Sequence, residues 1–142
     1  MIMLASAEAE LKACAGRCRF EGFHDWEALP KFYAAADFLC APSRHDGWGL
    51  IVPEALASGL PVITTENTGS GVEFIKSGKN GWLIQAGSES QLLGALRKAA
   101  RISDVELQTM SQHATTSVNA HSLDHGVARF HAAADAAIQN WQ

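Results

Sequence analysis

Residues 43–63, SRHDGWGLIVPEALASGLPVI, constrain this chain more than any other stretch. They follow an apolar run closed by Pro42, pass through a Gly-Trp-Gly turn, enter a short helical pattern that stops at Gly59, and emerge into a second apolar run. A strand, loop, helix and strand in such quick succession form a parallel crossover, which is right-handed. Two carboxylates stand in it at fixed separation, Asp46 before the turn and Glu54 in the helix.

The rest of the chain repeats the alternation. Residues 18–23 (CRFEGF) read as a short strand, and Leu29, Phe32, Tyr33 and Ala36 mark one face of a helix. Residues 38–41 form a continuous apolar run, as expected of a strand covered on both sides. Residues 61–65 repeat that pattern, the turn-rich ENTGSG follows, and a short helix over residues 72–75 leads through SGKNG to a last strand at 82–85. The fold class expected is α/β, a doubly wound parallel sheet.

Beyond Gly87 the pattern is helical. Ser88 with Gln91, and Ser103 with Glu106, have the spacing of capping boxes. A final amphipathic stretch carries Leu123, Val127, Phe130, Ala134, Ile138 and Trp141 on one side, so the helices are expected to form a C-terminal cover. At the other end, Leu4, Ala7, Leu11 and Cys14 recur at helical spacing; the apolar start is too short, and too soon followed by Glu8 and Glu10, for a signal peptide or a membrane span. With 142 residues and no linker-like interruption, one domain over residues 1–142 is expected.

Composition removes several classes of function. Hydrophobic residues make up 47% and charged ones 18%, an ordered globular balance. A net charge of -4 gives a nucleic-acid surface little support, so any phosphate must be held locally. Cys14, Cys18 and Cys40 are an odd set without a disulfide framework, which suits the reducing cytoplasm. His121 and His125 lie four apart with no third ligand in a metal-binding pattern, so no metal is expected.

In open α/β sheets ligands bind beyond the carboxyl ends of the strands, where loops feed helix N-termini. The loop over residues 43–50 is at such an end. Gly47 and Gly49 let a ligand approach the backbone closely, and amides near Leu50 and Ile51 are unpaired donors carrying the positive end of the helix dipole. Glu54 can accept two hydroxyl hydrogen bonds from a ribose, and Asp46 can do the same for another sugar. Equally, Asp46 is a good turn former and Glu54 an ordinary first-turn residue, and chemistry alone leaves both readings open. The candidate ligand is anionic and rich in hydroxyls, as a nucleotide-sugar is.

The run FEGF, LPKFYAAADFLCAPS, DGWGLIVPEALASGLPVI and EFIKSGKNGWLI resembles the C-terminal, donor-binding domain of retaining GT-B glycosyltransferases of the large family-4 type. That family carries two glutamates separated by seven residues, places taken here by Asp46 and Glu54. The resemblance implies that Glu54 holds the ribose and that Asp46, with the amides of Gly47, Trp48 and Gly49, contacts the donor sugar. It implies that amides near Leu50 and Ile51 take the diphosphate and that His24 lies near the base. Asp46 is one methylene shorter than the usual glutamate, which leaves the sugar open. Trp48 stands where phenylalanine is commoner, for packing or for sugar stacking.

The resemblance also implies what this stretch does not supply. Such enzymes bind their acceptor, a saccharide or a lipid-linked molecule at the inner face of the membrane, through an N-terminal domain. Their donor domain begins with two further strands that bring a basic pair to the leaving diphosphate; Arg17, Arg19 and Lys31 are outside the matching motif. In the order 3-2-1-4-5-6 those strands are central, so their loss predicts a closed-up sheet or an exposed edge that invites a homodimer. Three readings follow: the donor half of an enzyme, inactive alone; a nucleotide-sugar-binding module; and an α/β interaction domain with an incidental acidic pair.

Overall fold

Three short apolar runs become three parallel strands, β1 (Leu39–Ala41), β2 (Val62–Thr65) and β3 (Gly81–Ile84), in the spatial order β1-β2-β3. The computed structural model describes residues 21–141. The helix expected over residues 4–14 and the start of the strand expected at 18–23 lie outside them; residues 21–23 are not in a strand.

Register explains where the strands begin. Leu39 pairs with Val62, and Val62 with Gly81. Pro61 has no N–H for the ladder, so β2 starts one residue after it, although its carbonyl accepts from the Leu39 amide at 3.1 Å. Gly81, expected in a turn, is instead the first residue of β3. Its φ of 149° suits glycine, and a β-carbon there would collide with the Val62 backbone.

Helices cover both faces of the sheet. Before β1 comes α1 (Leu29–Ala34), shorter than its apolar stripe suggested; α2 (Ile51–Ala57) links β1 to β2, and α3 (Gly69–Phe74) links β2 to β3. Three more follow, α4 (Glu89–Ala99), α5 (Asp104–Val118) and α6 (Leu123–Gln139). Alternation along β2 divides the core: Val62 packs with Leu39, Val52, Leu56 and Ala114, while Ile63 packs with Ile84 and Ala95 of α4. Val52, Ala55 and Leu56 are fully buried, which accounts for the apolar spacing read in residues 43–63. The short α2 stops where Gly59 takes a φ of 81°; a β-carbon there would lie 2.9 Å from Ser111 Oγ of α5.

The caps separate by detail. Ser103 and Glu106 form the full reciprocal box, Glu106 Oε2 accepting from the Ser103 amide at 3.0 Å. Ser88 accepts from the Gln91 amide, but the Gln91 side chain accepts from the Gln85 amide, tying α4 to the end of β3 instead of closing a box. The cover is made by α5, with Met110 and Ala114 buried. On α6 the apolar stripe stays open among the described residues: Phe130 is 74% and Ile138 62% exposed. No helix among the described residues is long and apolar enough to cross a membrane.

Candidate functional site

The glycine loop leaves β1 and is braced from outside itself. Asp46 is joined to Asn67 and Gly69 through its backbone, its amide donating to the Asn67 carbonyl at 3.0 Å and its carbonyl accepting from the Gly69 amide at 3.3 Å. Ser70, fully buried at the start of α3, donates its hydroxyl to the Gly49 carbonyl at 2.8 Å, and its amide donates to the Trp48 carbonyl at 2.8 Å. Small residues make this approach feasible. A β-carbon on Gly49, whose φ is 76°, would lie 2.6 Å from Thr68 Cγ2, and one on Gly69 would lie 2.5 Å from the Gly47 carbonyl. This packing corrects the expectation of a turn at TGSG with a helix over 72–75: α3 begins at Gly69 because Gly69, Ser70 and Gly71 fit against the loop and β2. Glu73 consequently sits a full turn inside α3.

Asp46 realises the turn-forming chemistry expected of it. Its Oδ1 accepts from the Trp48 amide at 3.2 Å, an Asx turn. The Trp48 amide is thus engaged within its own loop, unlike its neighbours. Among the described residues the amides of Gly47, Gly49, Leu50 and Ile51 have no protein acceptor. The Trp48 ring packs edge-on to Phe74, centroids 6.1 Å apart, and is 45% exposed; packing is its observed role.

Glu54 stands on the exposed side of α2. Its Oε2 accepts a 2.8 Å hydrogen bond from the Tyr33 hydroxyl of α1. Burial above all, then the hydrogen bond to Glu54 and its negative charge, push the Tyr33 phenol well above its ordinary range, so it remains a donor at any physiological pH. Beside the pair lies a cavity of about 240 Å³ lined by Trp26, Leu29, Pro30, Tyr33, Glu54 and Ser58. Sequence reasoning passed over Tyr33 as one member of an apolar stripe; its hydroxyl was the signal, because a half-buried tyrosine usually finds a partner.

His24 comes to rest against α1. Its ring lies 4.5 Å from that of Phe32, and its Nε2, 3.9 Å from Glu21 Oε2, is buried without a hydrogen-bond partner among the described residues. His121 and His125 part company: His121 meets Phe74 edge-on at 4.4 Å and lies 3.9 Å from Glu73, while His125 engages Ser122 at the start of α6. A cavity of about 550 Å³ is lined by α4, α5 and the turn before β3, with Trp82 and Lys98 among its walls, and shares no residue with the glycine loop. We place the site by its donors and carboxylates because binding a phosphate and hydroxyls depends on these, whatever the cavity size.

Comparison with known proteins identifies the family. The model of the family described as glycosyl transferases group 1 matches residues 5–116. The GtfA subunit of the UDP-N-acetylglucosamine–peptide N-acetylglucosaminyltransferase of Streptococcus gordonii is 35% identical over 100 residues, 67% of this chain and 19% of the relative. The lipopolysaccharide core biosynthesis glycosyltransferase LpsE of Rhizobium meliloti is 32% identical over 95 residues, 67% of this chain and 26% of the relative. Among solved structures, the C-terminal domain of the group 1 glycosyl transferase LpcC of Francisella tularensis superposes with a TM-score of 0.68 at 26% identity, covering 80% of this chain and 57% of that one. The chain thus spans about a fifth to a quarter of the length of these curated relatives.

Proposed function

The chain belongs to the group 1 glycosyl transferases, and from that membership we propose that it binds the nucleotide-diphosphate sugar donor of a retaining sugar transfer. The observation that carries the proposal is the run of amides without protein acceptors at Gly47, Gly49, Leu50 and Ile51, bracketed by Asp46 and Glu54. Amide donors at a helix start suit a diphosphate; carboxylates repel phosphate but accept from hydroxyls, so they suit the sugars on either side of it.

In this assignment the diphosphate sits on the Leu50 and Ile51 amides. Glu54 takes the ribose, and the second oxygen of Asp46, with the amides of Gly47 and Gly49, takes the donor sugar. His24 lies toward the base. The acceptor, a saccharide or a lipid-linked molecule, is held by another part of the enzyme, and transfer requires both. The name of the Streptococcus gordonii relative includes a UDP-sugar, which makes UDP conjugates the first ligands to try.

Calorimetry or thermal shift with UDP, GDP and ADP and their sugar conjugates tests the proposal, since a ligand of the folded state raises its melting temperature. Glu54→Ala removes a charged acceptor worth about 1.5–3 kcal/mol, so nucleotide affinity falls about ten- to hundredfold. Absence of binding by every conjugate at millimolar concentration would overturn the proposal for this chain.

A further inference from the structure

We propose that Tyr33 is a positioning residue that aims Glu54 at a ribose and thereby sets a preference for ribonucleotides over 2′-deoxyribonucleotides; this rests on the donor-binding reading of the same site. Tyr33 and Glu54 come from different helices, 21 residues apart, and meet at 2.8 Å. Their roles in the bond are unequal. The Tyr33 ring packs against the core cluster of Leu39, Val52 and Leu56, so its hydroxyl is a fixed point. Glu54 stands exposed, on a long side chain that is free to rotate in water, and among the described residues no cation lies within ion-pair distance of it. The tyrosine is what restrains it.

The bond also divides the work of the carboxylate. Oε2 is taken by Tyr33, while Oε1 has no protein donor among the described residues. A free carboxylate oxygen accepts only from donors, and in a nucleoside diphosphate the pentose hydroxyls are the donors that are not on the base. The cavity beside the pair, about 240 Å³, is far too small for a whole nucleotide-sugar and of a size for one ring. Holding the carboxylate beside it before the ligand arrives removes an ordering cost from binding. A ligand without the 2′-hydroxyl forgoes part of what that restraint provides. The phenol, held protonated by burial and by Glu54, donates across the whole working pH range.

The test is a binding matrix measured by calorimetry: UDP, GDP, ADP and their 2′-deoxy counterparts against the wild-type chain, Tyr33→Phe, Glu54→Gln and the double variant. Tyr33→Phe keeps the ring and its packing and deletes only the hydroxyl, and a melting curve checks its fold. The wild type should prefer the ribonucleotide; Tyr33→Phe should weaken it about three- to tenfold while weakening the deoxynucleotide less, so that the preference shrinks, and should add nothing once Glu54 is Gln. A preference that survives Tyr33→Phe but is lost in Glu54→Gln overturns the positioning role and leaves the donor site standing. Tighter binding by Tyr33→Phe overturns it too, showing that the phenol competes with the ligand. No binding of any nucleotide by the wild type overturns the donor reading itself.

Discussion

The hydroxyl of Ser70 donates to the carbonyl oxygen of Gly49 at 2.8 Å, joining the first turn of α3 to the loop that follows β1. The Gly49 carbonyl also accepts from the Val52 amide at 3.0 Å, so one oxygen links α3, the loop and α2. Ser70→Ala keeps that second bond and removes the first. It should cost about 1 kcal/mol, lower the melting temperature by about 3–5 °C, and speed amide exchange at residues 47–51 more than in the strands. Exchange that is unchanged in the loop would show that Ser70 stabilises α3 alone.

Asp46 has two separable parts, an oxygen that closes the turn on the Trp48 amide and a negative charge. Asp46→Asn retains the first and removes the second; Asp46→Ala removes both. We expect Asn to melt close to the wild type yet to bind a nucleotide-sugar more weakly than before relative to the free nucleotide. Ala should lose stability as well. Affinities of the Asn variant for both ligands that match those of the wild type would reduce Asp46 to a turn residue.

Glu106 makes the start of α5 sensitive to acid. Its carboxylate accepts from the Ser103 amide and, at 2.7 Å, from the Ser103 hydroxyl, and these bonds hold its pKa below the ordinary carboxylate value. A depressed folded-state pKa contributes stability that is present above the unfolded pKa and is lost as pH falls through the folded one. Glu106→Gln, which can still accept from the Ser103 amide, should therefore melt below the wild type near neutral pH, and the gap should close as pH drops beneath the carboxylate range. Parallel melting curves at every pH would rule out this linkage.

Much of the site was written locally. The glycines, the turn-forming aspartate, and the helix of residues that begins after Leu50 all follow from neighbours within a few positions, because turn chemistry and helical periodicity act over that distance. The parallel sheet followed from the rhythm of apolar runs and helices. What stayed hidden depended on partners far along the chain. Gly81 belongs to a strand because its backbone approaches that of Val62, and TGSG starts a helix because its small residues fit beneath the loop. The free or spent state of each loop amide, including that of Trp48, needed the folded backbone.

Residues 43–63 by themselves determined that a glycine-bearing loop and a short helix stand between two parallel strands, with Asp46 in the loop and Glu54 in the helix. Only the tertiary structure decided which group each carboxylate meets. Asp46 turns back on its own loop, an outcome open to any aspartate two residues before a free amide. Glu54 meets Tyr33 because packing of α1 beside α2 brings together residues 21 positions apart, and no local preference encodes that distance. The apolar stripe of α6 makes the same point from the other side: periodicity says that a face is apolar, and only packing can say whether anything covers it.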